Sequence, residues 1–191
     1  MEFTIVMSIG NSMNPKQLET LKKNNEETRD FVRSCLSFAF MIALKETGPD
    51  KITVSQLCTL AGVSRTAFYR NYNSVDEVLE DKIRSFANSL GSSMSTDIYN
   101  NWLTVFKKVE ENKLYFQTII ESGYGHKIHD IFISLLPKSE ENRTIQFIWV
   151  SLFYSMMIKW LKDKKPKSAE DMARLAYKYT KNVPLVSIER Y

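Results

Sequence analysis

Thr53-Val54-Ser55-Gln56-Leu57-Cys58-Thr59-Leu60-Ala61-Gly62-Val63-Ser64-Arg65-Thr66-Ala67-Phe68-Tyr69-Arg70-Asn71-Tyr72 is the stretch whose reading decides the fold. Thr53 followed by Gln56 is a capping box, in which the two residues satisfy the orphan N–H groups of a starting helix. Val54, Leu57, Cys58 and Ala61 share the inward face of that helix. Gly62 supplies a tight turn, and Ser64 caps a second helix running to about Tyr72. Ala61 is small where the two helices meet, and Val63 and Phe68 point inward and lock their angle. The pattern predicts a helix-turn-helix at about 53–72, the geometry in which a braced second helix presents its N-terminal residues to the major groove of DNA.

Chemistry assigns roles on the outer face. Arg65 suits the O6 and N7 acceptors of guanine, and Thr66 or Ala67 suits a thymine methyl. Thr53, Tyr69 and Arg70 suit phosphates, which position a protein without reading sequence. The expected DNA-binding set is Thr53, Ser64, Arg65, Thr66, Ala67, Tyr69, Arg70 and Asn71. Between Asp50 and Asp76 there is no carboxylate, while Lys51, Arg65 and Arg70 lie inside. A surface facing phosphates excludes carboxylates, because each one repels the nucleic-acid backbone. The plain alternative is a packed helical hairpin whose Arg and Tyr side chains are merely solvated.

Working outward, Phe31, Cys35, Phe38, Ala39 and Ile42 recur at helical spacing and predict an inward stripe on a helix from Thr28, stopped by Gly48 and Pro49. Pro15 to Asn24 reads as a loose leading helix or arm. Ser74 with Glu77 opens another helix, which fades at Gly91-Ser92-Ser93. That stretch divides the chain into an arm (1–25), a helix-turn-helix domain (26–91) and a helical domain (92–191) for dimerisation and effector binding. Helices follow near Ser95–Glu111, over Leu114–Ile119, over His126–Leu136, over Ser139–Asp163 and over Ser168–Lys181. No segment alternates with period two, so the expected class is all-α.

The second half carries two further expectations. Ile145 to Leu161 is apolar around most of its circumference, so it needs burial on two sides. A second copy of the same helix is the simplest cover, with Ile145, Trp149, Leu152, Met156 and Trp160 as the expected homodimer contacts. Trp102, Phe106, Tyr115, Phe116, Tyr124, Trp149 and Phe153 are candidates to line an effector pocket, or else plain core. The aromatic density from Trp102 to Tyr124 and the break at Gly123 and Gly125 suggest a pocket mouth. They also suggest coupling through the Ser95–Glu111 helix moving against the Ser74–Leu90 helix. His126 and His129, with Asp130 beside them, lack the further ligand that a metal site needs and read as a surface pair. The lysines between 162 and 167 read as a solvated loop.

The 191 residues are 43% apolar and 25% charged, with a net charge of +4, which suits a packed globular chain and excludes a polyelectrolyte. Cys35 and Cys58 have no ligand spacing and read as small buried residues of a reducing compartment. The first dozen residues lack the features of a signal peptide, and no uninterrupted apolar run is long enough to span a bilayer. The expectation is a cytoplasmic protein without membrane partner or cofactor. Two histidines, no nucleophile elbow and no phosphate-binding glycine loop argue against an enzyme.

The order Ile52-Thr53-Val54, Leu57, Ala61-Gly62-Val63-Ser64-Arg65 and Phe68-Tyr69-Arg70-Asn71-Tyr72 resembles the TetR family of transcriptional regulators. The resemblance implies an N-terminal three-helix DNA-binding domain and a larger helical domain for dimerisation and ligand sensing. Asn71 stands where the family commonly has His, Val75 where a phosphate-reaching Lys is common, and Ala67 where a hydroxyl is frequent. Each departure weakens an expected backbone contact. Glu111-Asn112-Lys113-Leu114-Tyr115-Phe116, Ile158-Lys159-Trp160-Leu161 and Lys167-Ser168-Ala169-Glu170-Asp171 are similar to the sensor half of regulators of dihydroxyacetone kinase genes. The implied function is a homodimer on a near-palindromic DNA operator, controlled by an effector of unknown identity. The alternative is a helical adaptor or activator whose second half binds a partner protein.

Overall fold

The computed structural model describes residues 15–136 and 140–183, with side chains described from Glu26 and, in the later segment, from Arg143. The described residues form nine α-helices and one 3-10 turn, with no strand among them. The arm expected at 1–25 lies outside them up to residue 14.

α1 spans Pro15–Thr47 as one uninterrupted helix, so the leading segment and the helix expected from Thr28 are continuous. Its buried face is Leu36, Ala39, Phe40, Ala43 and Leu44. The expected stripe is therefore corrected. Ala39 is inside, but Phe31 and Phe38 are 68% and 69% exposed, and Cys35 and Ile42 are half-buried. Two apolar sets at helical spacing coexist on this helix, and periodicity alone does not say which one meets the core. Gly48, at φ 74°, turns the chain into the 3-10 turn Pro49–Lys51.

α2 (Val54–Ala61) and α3 (Arg65–Tyr69) follow, then α4 (Val75–Gly91), capped by Ser74, whose hydroxyl accepts from Glu77 N at 3.3 Å. The Glu77 carboxylate accepts from Asn73 N at 2.7 Å, one residue earlier than a strict capping box. Beyond it come α5 (Ile98–Glu111), α6 (Lys113–Glu121), α7 (Gly125–Ser134), α8 (Glu140–Lys162) and α9 (Ala169–Thr180). Asp97 and Ser168 cap α5 and α9 through 3.0 and 3.1 Å bonds to the N–H groups of Asn100 and Asp171.

α1 is the central brace, touching α2, α3, α4 and α6. α5 lies along α9, tied by a buried hydrogen bond from Trp102 Nε1 to Thr180 Oγ1 at 2.8 Å. Arg143–Lys162 in α8 is long and apolar enough to cross a membrane by length and composition alone. Here it packs on α6 and α7 with Phe153, Met157, Trp160 and Leu161 buried, while Phe147 and Ile148 stay exposed.

Candidate nucleic-acid interface

The interface begins with two caps and a glycine. Thr53 Oγ1 accepts from Gln56 N at 3.2 Å and starts α2. Gly62, at φ 64°, is the left-handed C-cap of α2, a conformation in which any other residue meets Cβ strain. Ser64 Oγ accepts from Ala67 N at 3.0 Å and starts α3. Leu57, Cys58 and Phe68 are buried beneath, and the Phe68 ring meets Tyr69 edge-on at 5.3 Å and Tyr72 at 6.1 Å. Burial pushes the Cys58 thiol up, so it stays protonated and apolar in character.

Thr53, Ser64, Arg65, Thr66, Tyr69 and Arg70 are exposed and Ala67 is half-buried. Tyr69 is 52% exposed. α3 is shorter than expected: its regular turns end at Tyr69, and Arg70 to Tyr72 turn away through Asn71 N to Phe68 O at 2.8 Å and Tyr72 N to Phe68 O at 2.9 Å. Asn71 differs from its neighbours. Its Nδ2 donates to Ala67 O at 2.8 Å, while its Oδ1 is buried without a hydrogen bond. The side chain terminates α3 instead of extending outward. Leu60, 40% exposed on α2, is an apolar neighbour that sequence reasoning passed over.

Contacts distant in sequence complete the setting. Tyr72 Oη donates to Asp81 Oδ2 at 2.8 Å, and Arg33 Nε donates to the same oxygen at 3.0 Å. Lys127 Nζ of α7 bonds Asp76 Oδ2 in the first turn of α4 at 3.2 Å, and this partner raises the Lys127 pKa. No local sequence signal joins Arg33 to Asp81 or Lys127 to Asp76, which lie 48 and 51 residues apart.

The candidate pocket residues divide into groups. Trp102 stacks on Phe106 at 5.7 Å and meets Trp149 at 5.6 Å, while Phe106 meets Trp160 edge-on at 5.3 Å. Phe116 packs on Phe86 at 4.8 Å, and Phe153 on Phe132 at 5.6 Å. Tyr115 lies beside Phe116, its hydroxyl buried. Tyr124 is half-buried, near His126 and Lys127. Among the expected dimer contacts, Ile145, Leu152 and Met156 are half-buried, and Trp149 leans on Trp102. Trp160 faces inward, with its Nε1 donating to Lys167 O at 2.8 Å. Phe147 and Ile148, 46% and 50% exposed, hold the outer face of α8. His126 is exposed, but His129 is not its surface twin. It sits between α7 and α8, 3.2 Å from Ser151 Oγ, with its ring tilted against Tyr154 at 5.1 Å. Among the described residues no cluster of three metal-ligating side chains occurs.

Fold and site together define a helical protein with a capped N-terminal helix-turn-helix and a larger helical second half. That is the fold of the TetR-type regulators. A TetR transcriptional regulator from Streptococcus agalactiae matches over 81% of this chain and 96% of its own, at TM-score 0.56 and 18% identity. A protein from Listeria innocua matches over 80% and 90%, at TM-score 0.65 and 15% identity. DhaS, a dihydroxyacetone kinase operon activator, matches over 77% and 92%, at TM-score 0.52 and 16% identity. No protein-family model and no curated protein matches the sequence.

Proposed function

We propose that this chain is a DNA-binding transcriptional regulator, not an enzyme, acting as a homodimer on a near-palindromic operator. The observation that carries it is the outer face of Ser64 to Arg70. That face is exposed, free of carboxylates, capped at its start and pinned from beneath by a fully buried Phe68. The sequence resemblance and the similar solved structures support the same reading. Residues 26–91 are the DNA-binding domain, and residues 92–191 carry dimerisation and control. The outer face of α8, with Phe147, Ile148, Leu152 and Met156, is the proposed dimer contact; Trp160 leaves that set because it packs inward.

Beside the route through α5 expected from the sequence, α7 offers a second route by which control reaches the DNA-binding half. α7 offers Lys127 to Asp76, Ser134 Oγ to Arg84 Nη2 at 3.3 Å, and Phe132 to Phe86 at 6.2 Å. α5 adds Lys108 Nζ to Ser89 O at 2.7 Å, near the far end of α4. An effector or partner that displaces α7 therefore bears on the first turn of α4, directly after the reading helix. A partner protein is favoured as the second reading by the exposed Phe31, Phe38 and Leu114.

Selection of bound duplexes from a random library, followed by mobility shift at several salt concentrations, tests the proposal. Enrichment of a two-fold symmetric site, with affinity falling steeply as salt rises, is expected. Recovery of no duplex at low salt would leave only the adaptor reading.

A further inference from the structure

α3 is a five-residue helix, too short to hold an angle by its own hydrogen bonds. Its orientation is set from outside. Phe68 anchors its underside, and the chain leaving it is held at Tyr72, which is buried. The Tyr72 hydroxyl donates to Asp81 of α4 at 2.8 Å. The same carboxylate takes both arms of the Arg33 guanidinium from α1, Nε at 3.0 Å on one oxygen and Nη2 on the other. The guanidinium also lies 5.7 Å from the centre of the Tyr72 ring. One carboxylate thus gathers α1, α4 and the exit of α3. The Arg33 and Asp81 side chains are 32% and 26% exposed, so the pair is better shielded than an ordinary surface ion pair. Burial and the neighbouring Asp81 push the Tyr72 pKa up, which keeps its hydroxyl a donor.

α6 of the second half packs on α1, the helix that carries Arg33. Its Tyr115 has a buried hydroxyl beside Ser37 of α1, and its pKa is raised first by burial and then by the charges of Tyr72 and Asp81.

We propose that Asp81, with Arg33 and Tyr72, is a positioning cluster that sets the angle of α3 for base reading, and that Tyr115 is where the second half bears on it. The proposal rests on the DNA-binding reading above. Base contacts tolerate small displacement poorly, because donors must meet fixed groove acceptors, whereas phosphate contacts are forgiving. Loosening α3 therefore costs affinity on the selected site and little on random duplex.

The experiment uses the full chain, its library-selected duplex and a random duplex of equal length. Tyr72→Phe keeps the ring and removes the hydroxyl. It should weaken selected-site binding about three- to tenfold, the scale of one hydrogen bond, and leave random-duplex binding unchanged. Asp81→Ala should do more, and the double variant no more than Asp81→Ala, because removing the carboxylate already removes the bond that Tyr72→Phe removes. Amide exchange over residues 64–72 should quicken in each, with residues 169–180 unchanged as the control for folding. Tyr115→Leu should quicken exchange over 64–72 as well. Unchanged exchange in Tyr72→Phe, equal losses on both duplexes, or additive losses would overturn the cluster. Unchanged exchange in Tyr115→Leu would overturn the link to the second half. If the unaltered chain binds no duplex, the DNA-binding reading has failed, and the exchange measurements alone decide for or against the cluster.

Discussion

Arg65 and Tyr69 stand a helical turn apart on the same exposed face, yet their chemistry gives them different tasks. Arg65→Ala should cost roughly 1–3 kcal/mol on the selected operator and relax base preference at one position. Tyr69→Phe should weaken all duplexes alike, as the loss of a phosphate contact does. Binding isotherms on selected and random DNA distinguish the two, and equal behaviour of both variants would refute this division.

Among the elements, α2, the turn and α3 were the most legible. Their signals are local: the Thr53 and Ser64 side chains accept from the N–H groups three residues on, and Gly62 takes the left-handed turn expected of it. Gly62→Ala should destabilise by about 1–2 kcal/mol, the Cβ penalty of the left-handed region. No atom lies within 4 Å of the added carbon, so the cost is purely one of backbone strain. Ser64→Ala should cost about 1 kcal/mol through the lost cap. Urea titrations check both, and a neutral Gly62→Ala would mean that the turn relaxes freely. α1 was less legible, because Phe31, Cys35, Phe38 and Ile42 make as good a stripe as Leu36, Phe40 and Ala43. Only the neighbours α2, α4 and α6 decide between them.

At the scale of the whole molecule, the proposal turns on the outer face of α8. Phe147→Glu with Ile148→Glu should leave the monomer folded and abolish self-association, because two carboxylates enter an apolar contact without partners. Sedimentation equilibrium at micromolar concentration is the measurement, and a wild-type monomer would refute the dimer outright. The intact dimer should protect half-sites about 34 Å apart in footprinting, one helical turn of DNA between reading helices. Lys127→Ala should alter DNA affinity without touching DNA, by releasing Asp76 at the start of α4. The ion pair is more than a third exposed on the aspartate side, so screening by solvent and salt keeps the effect small.

The sequence by itself determined the all-helical class, the helix-turn-helix and most of its outward residues. Caps, turns and the run without carboxylates act over a few residues, and nothing distant needs to be known to read them. Tertiary structure alone decided which face of α1 is buried, that Trp160 and Phe106 belong to one packed cluster, and that Asn71 folds back onto α3. It alone joined Arg33 to Asp81, and Lys127 to Asp76. Those pairs are separated by 48 and 51 residues, and a carboxylate carries no mark of its partner until packing brings the two charges together.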